Sequence, residues 1–180
     1  MLPVLFALAI VGLLLFVLIA GRPDEFTVTR SATIVAPPEE VFPHVNELRK
    51  WDAWSPWAKL DPNAKNSFDG PASGVASTMS WSGNNKIGEG RMAITESRAS
   101  ALIRFRLEFL RPFKATNVAE FTFNSAGNQT EVIWSMSGKN NFFFKLFGLF
   151  MDCDKMVGKD FERGLASLKT VVEKAPEQKP

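Results

Sequence analysis

The side chains able to carry chemistry are few in this 180-residue chain. Its one histidine is His44, so every two-histidine metal motif is excluded, and any general base of histidine type has to be this residue. No G-x-S-x-G turn presents a nucleophilic serine beside it. A lone histidine next to Pro43 in a short helix reads more readily as structural or exposed. The one cysteine, Cys153, rules out an internal disulfide and a multi-cysteine zinc site. Lys155 is its one basic neighbour, and a structural thiol is the better reading. Asp152 and Asp154 lack the spacing of a calcium loop and suit a helix start. Gly88-x-Gly90 lacks the third glycine of a dinucleotide fingerprint and falls in a strand pattern. For acid–base work on a buried substrate the available carboxylates are Asp69, Glu89 and Glu96, none with a distinctive setting. No catalytic motif is recognisable, and no cofactor or metal is expected.

Other features bound the function from outside. Lys and Arg number 21 against 19 Asp and Glu, with no concentrated basic stripe, so no nucleic-acid partner is expected. Tyrosine is absent, whereas phenylalanine numbers 16 and tryptophan five, three of them within the seven residues Trp51-Asp52-Ala53-Trp54-Ser55-Pro56-Trp57. The sequence thus excludes more chemistry than it proposes.

The elements that position these residues begin with an uncharged run. Of the 19 residues Leu2–Ala20, 17 are Ala, Val, Ile, Leu or Phe. As a helix the run covers about 28 Å, the thickness of a bilayer's hydrocarbon core. No Lys or Arg precedes it, and a cut after Ala20 would place the bulky Leu18 three residues upstream of the cut. An uncleaved single-pass anchor is therefore favoured over a cleaved signal peptide. Arg22 and Arg30 follow, which leaves the membrane side of the remaining chain open. Residues 1–21 read as the anchor, 22–25 as a linker, 26–174 as one domain and 175–180 as a polar tail.

Within the domain, residues 25–35 alternate as a strand with Phe26, Val28, Ala32 and Ile34 on one face, a face that also takes Arg30. Pro38 opens a helix followed by Glu39 and Glu40, and Pro43 predicts a break and a second short turn. Residues 60–71 read as loop or edge strand. Met79 and Trp81 share a face of the next strand, and 87–96 closes a hairpin with it. Ile103, Phe105, Leu107 and Phe109 give the cleanest alternation. Phe121 and Trp134 belong to two further strands. Phe142, Phe143, Phe144, Leu146 and Phe147 make a dense apolar segment. Residues 151–173 then carry a helical stripe of Val157, Phe161, Leu165, Leu168 and Val172. Gly158 and Gly164 weaken this helix and point to close approach of helix and sheet. The order predicts an α+β domain in which an antiparallel sheet bends around a terminal helix.

Arg30-Ser31-Ala32-Thr33-Ile34-Val35-Ala36-Pro37-Pro38-Glu39-Glu40-Val41-Phe42 resembles the opening of the SRPBCC superfamily, also called START-like or Bet v 1-like. Trp54-Ser55-Pro56-Trp57, Gly88-Glu89-Gly90-Arg91-Met92 and Gly158-Lys159-Asp160-Phe161-Glu162-Arg163-Gly164-Leu165 are similar to segments of its polyketide cyclase/dehydrase branch. The resemblance implies a helix-grip fold, with an apolar cavity between a curved sheet and the long C-terminal helix. It implies a hydrophobic small-molecule or lipid partner, and it transfers no reaction.

On that fold the expected cavity lining is Trp54, Trp57, Met79, Trp81, Arg91, Phe105, Phe121, Trp134, Met156, Phe161, Leu165 and Leu168. For the apolar members, core packing and cavity lining are the same wall. Trp54 and Trp57 are placed at the mouth, with indole N–H groups available to a polar head. Arg91 offers a fork to an anionic head if its face is inward, and is a solvated partner of Glu89 if outward. The expected function is a membrane-anchored binding module for a lipid or other hydrophobic molecule. A cyclase- or dehydratase-like enzyme and a co-chaperone-like protein-interaction module are the alternatives.

Overall fold

A computed structural model describes residues 2–140, 145, 146, 148, 149 and 152–174. Most of the apolar segment around Phe142–Phe144 and Phe147 lies outside the described residues. Helix α1 (Leu2–Ala20) is exposed along most of its length, in keeping with a segment lacking any polar face. It is long and apolar enough to cross a membrane by length and composition. A short linker then enters strand β1 (Glu25–Ile34).

Seven antiparallel strands form one sheet in the order β1-β7-β6-β5-β4-β3-β2. After β1 come β2 (Lys65–Asp69), β3 (Thr78–Ser82), β4 (Glu89–Arg98), β5 (Leu102–Arg111), β6 (Ala115–Ala126) and β7 (Gln129–Lys139). From β2 onward each strand pairs with the next in sequence, and β7 then closes on β1. Two irregularities interrupt the β4–β5 pairing, leaving Leu110 and Thr95 without a register partner. Such bulges increase local twist, and they bend this sheet where it curves.

Between β1 and β2, helix α2 (Pro38–Asn46) is followed by a 3₁₀ helix (Leu48–Ala53). The break expected at Pro43 falls instead at Glu47, whose N–H bonds the Pro43 carbonyl at 3.2 Å. A proline six residues into a short helix forfeits one intrahelical bond. The buried Val41, Phe42 and Val45 hold the helix through it.

Helix α3 (Cys153–Lys174) lies across the concave face. Asp152 caps its start, accepting the Lys155 N–H at 3.1 Å. Phe161, Leu165, Leu168 and Val172 are buried against inward residues that include Ile34, Ile94, Ile103, Phe105, Phe121, Val132 and Trp134. Arg30 occupies the inward face of β1 because α3 supplies its partners. Its guanidinium bonds Asp154 at 3.0 Å and Glu162 at 2.8 Å. These hydrogen bonds, Asp154's first, raise the Arg30 pKa above its already high ordinary value. Gly158 makes the crossing possible, since a Cβ there would overlap the Arg30 guanidinium. Asp154 is thus half of an ion pair, and no group of three His, Cys, Asp or Glu suited to a metal occurs among the described residues. On the outer face of the sheet, Arg104 pairs with Glu96 and Glu120.

Gly164 is a close apolar contact of the helix with Trp134 of the sheet and with Pro56. A Cβ there would stand 2.8 Å from Cζ3 of Trp134 and 3.0 Å from Cδ of Pro56. Both neighbours are rings held by their own surroundings. Gly164→Ala gains roughly 1 kcal/mol of helix propensity, while overpacking costs about 1–3 kcal/mol. The expected result is a net loss of about 1 kcal/mol in urea unfolding. A stabilised Gly164→Ala protein would show that the helix has room to lift away.

Candidate functional site

The inward side chains change size along the sheet. At the end where β1 stops and α2 begins, Ile34, Val41, Val45, Ile103, Phe123 and Leu168 fill the space between sheet and helix. Toward the other end, β6 presents Ala119 after Phe121, and β4 presents Gly90 after Met92. The ring of Trp81 lies over Gly90, where any Cβ would overlap it. The space left over is a cavity of about 300 Å³. Ala119, Trp134, Met136 and Met92 line it from the sheet, and Val157 and Phe161 from α3. Leu48, Trp51 and Trp57 close one side, with Phe68, Met79, Trp81, Leu107 and Phe109 opposite. Its polar lining groups include Asp52, Asn66 and Lys86, which are exposed at the rim, and Asp160, which is paired with Arg163.

Aromatic contacts hold the walls. Trp134 stacks on Phe161 with centroids 4.0 Å apart and planes 7° from parallel. Phe121 stacks on Trp134 at 4.7 Å. Trp51, Trp54 and Trp57 present edges to Trp134 at 6.2, 5.8 and 5.7 Å. Each such pair contributes about 0.5–1.5 kcal/mol beyond its buried area. Edge strand β2 is tied in by Phe68, whose ring lies 4.4 Å beneath the Arg49 guanidinium. The turn carrying Lys86 and Ile87 is tied in by buried Asp61, which accepts the backbone N–H of Asn84 at 2.6 Å.

Trp57, Met79, Trp81, Trp134 and Phe161 line the cavity. Trp54, Phe105, Phe121, Leu165 and Leu168 do not; they are fully buried in the packed core beside it. The indole N–H of Trp54 is engaged by the His44 carbonyl at 2.9 Å, which removes it as a donor to a ligand head. Trp51 and Trp81 likewise bond the carbonyls of Val45 and Ile87. The Trp134 N–H is buried without a hydrogen-bond partner. Arg91 is exposed on the outer face, because its neighbours Gly90 and Met92 are the residues that point inward. Met156 is 49% exposed, lying off the stripe that Val157 and Phe161 define.

Several lining residues lie outside the set expected from the sequence. Phe109 and Leu107 continue the alternation of Phe105 and were available to it. Ala119 and Met92 carry no signal, since a small or flexible residue lines a cavity only when its neighbours across the gap fail to meet it. Asp69, Glu89 and Glu96 are not among the lining residues, and Glu96 pairs with Arg104 and Arg98. His44 does not line the cavity either. Burial, with Lys50 nearby, pushes its pKa below the ordinary 6.5.

The profile of the family described as polyketide cyclase / dehydrase and lipid transport matches residues 25–173, and the chain belongs to that family. No curated protein matches the chain in sequence. Among solved structures, a Chromobacterium violaceum protein is similar with a TM-score of 0.59 at 13% identity, over 84% of this chain and 99% of its own. The Aha1 dimer from Colwellia psychrerythraea is similar with a TM-score of 0.60 at 18% identity, over 82% of this chain and 96% of its own. Ara h 8.0201 is similar with a TM-score of 0.56 at 11% identity, over 83% of this chain and 99% of its own. These identities establish the helix-grip, Bet v 1-like fold alone. Family and fold together point to a domain for hydrophobic ligands.

His44 makes stability depend on pH in a defined sense. Its folded pKa is depressed, so the unfolded chain binds the proton more readily. The contribution of His44 is then level well above pH 6.5 and is lost as the pH drops through 6.5 toward the lower folded value. Denaturant midpoints measured from pH 7.5 to 5 are expected to decline over this window, with a shallower decline in His44→Gln. An unchanged slope in the variant would remove His44 as the source.

Proposed function

We propose that this member of the polyketide cyclase / dehydrase and lipid-transport family is a membrane-anchored module that binds one hydrophobic small molecule or lipid chain in the cavity between its sheet and α3. The observation that carries the reading is the cavity itself, about 300 Å³ lined mostly by aromatic and aliphatic side chains, with Asp52 and Lys86 at the rim and Asp160 held by Arg163. Burying apolar ligand surface there is favourable by about 0.8 kcal/mol per methylene. The rim groups Asp52, Asn66 and Lys86 are available to orient a polar head. The lining carboxylates, Asp52 and Asp160, are respectively exposed and ion-paired. Neither has the enclosed apolar setting an acid or base for cyclisation or dehydration uses. Binding therefore has the stronger support than catalysis.

The anchor is part of the same proposal. Helix α1 has the length and uniform apolarity of a spanning segment. The bulky Leu18, three residues upstream of a cut after Ala20, disfavours cleavage there. Held at a bilayer, the cavity has a short path to any amphiphile dissolved in it.

Residues 24–180 can be tested alone, because structures of the same fold match it over nearly their whole length. Purified without detergent after exposure to membrane lipid, this domain is expected to release a near-stoichiometric amphiphile into solvent, detected by mass spectrometry. Ala119→Leu fills the cavity from the sheet side and is expected to fold with wild-type thermal stability while losing most of the bound ligand. A clean wild-type extract would sink the binding reading. For the full chain, resistance to a carbonate wash of membranes and an intact mass retaining residues 1–20 are expected. A mature protein lacking them would overturn the anchor reading.

A further inference from the structure

The hairpin joining β5 to β6 carries two large apolar side chains that line neither the cavity nor the buried core. Leu110 sits on a bulge, without a register partner, and is 49% exposed. Phe113 at the tip is 57% exposed. Arg111 and Lys114 alternate with them, both exposed. An exposed Leu-Arg-Pro-Phe-Lys tip combines apolar and cationic side chains, the composition of segments that sit at the boundary of headgroups and acyl chains.

Strand register fixes where this tip lies. Phe26 pairs with Gly138, and Gly138 pairs with Asn117 on its other side. Extending the same antiparallel count by two residues puts Ala115 level with Asp24, and the Asn140 N–H meets the Asp24 carbonyl at 2.7 Å at that level. The tip, residues 112–114, projects beyond Ala115, level with the linker that leaves α1. From β1 to β5 there are three strand spacings, about 14 Å in all. The tip is thus beside the exit of the apolar helix and at its height. The local charge also fits an anionic surface: Arg22, Arg111, Lys114, Lys139 and Lys145 stand at this end against Asp24, Glu25 and Glu89.

We infer that the β5–β6 hairpin is a second membrane contact, with Leu110 and Phe113 entering the interface of the bilayer that α1 spans and Arg111 and Lys114 meeting its phosphates. The inference rests on the anchor reading. Its consequence is to orient the cavity. Arg111 bonds the Gly83 carbonyl at 2.8 Å, and the backbone of Gly88 packs on the Arg111 carbonyl too closely for any Cβ. The hairpin therefore abuts the turn that carries the rim residues Lys86 and Ile87, and docking it brings that rim to the lipid surface. One spanning helix leaves a domain free to swivel, and a second contact removes that freedom.

The test uses the full chain in vesicles of phosphatidylcholine and phosphatidylserine. With Cys153→Ser as background, an environment-sensitive NBD dye is attached at Phe113→Cys, at Leu110→Cys, or at Asn128→Cys in the β6–β7 turn at the opposite end of the sheet. Quenching by a shallow doxyl-labelled lipid is expected to be about threefold or more greater at 110 and 113 than at 128. Lys114→Glu combined with Arg111→Glu is expected to lower the quenching at 110 by about half, most strongly in phosphatidylserine-rich vesicles. Equal quenching at all three sites, in protein that resists a carbonate wash, overturns the hairpin contact and leaves the anchor standing. Release by the wash overturns both.

Discussion

The stacking of Phe161 on Trp134 is the contact on which the other elements depend. At 4.0 Å and 7° it fixes the inward face of α3 against a ring presented by β7. Gly164 supplies the clearance one turn further along the helix, against the same tryptophan and Pro56. Once Trp134 is clamped, Trp51, Trp54 and Trp57 have a common ring to pack against. An irregular, proline-containing segment thereby becomes a rigid wall. The cavity is bounded by the consequences of that one contact.

A hollow beside a dense core is a matter of graded side-chain size. Bulky residues on facing elements meet at the α2 end and leave no gap. At the other end Ala119 and Gly90 draw back, and the aromatic rings stand around the space without filling it. Apolar packing alone would hold the front of α3 weakly there. Polar bonds take over: Asp152 caps the first turn, and Arg30 bonds Asp154 and Glu162 across the gap to β1. The helix is thus secured at its front by charge and hydrogen bonds and at its rear by burial, which lets the intervening wall face a cavity without collapsing into it.

Position in the fold also gives the outer features their meaning. The linker after α1, the turn carrying Lys86 and the β5–β6 hairpin come from distant parts of the chain. Antiparallel register brings them to one end of the sheet. The rim residue Lys86 belongs to that same end, so the end of α1 and one side of the cavity mouth are brought together by topology.

Much of this was legible in the residues themselves. Period-two alternation in 103–109 and the i, i+4 stripe from Val157 identified sheet and helix, because a side chain's direction relative to its own backbone is a local property. The uncharged length of Leu2–Ala20, the single histidine and single cysteine, and the resemblance at 30–42 bounded the fold and excluded most chemistries. The same local rule placed Arg30 on an inward face, but its two carboxylate partners lie more than 120 residues away and leave no trace nearby. Lining was less legible than burial. Trp57 and Trp54 are alike in sequence, yet one faces the cavity while the other is sealed in the core, its N–H on the His44 carbonyl. Phe105 and Phe109 share an alternation, and only the second borders the space. What the sequence by itself determined was which way each side chain points; what only the tertiary structure decided was whether anything meets it there. The first depends on the backbone of a few neighbours. The second depends on the size of residues brought opposite from another element, on bulges that bend the sheet, and on glycines that let a helix close in.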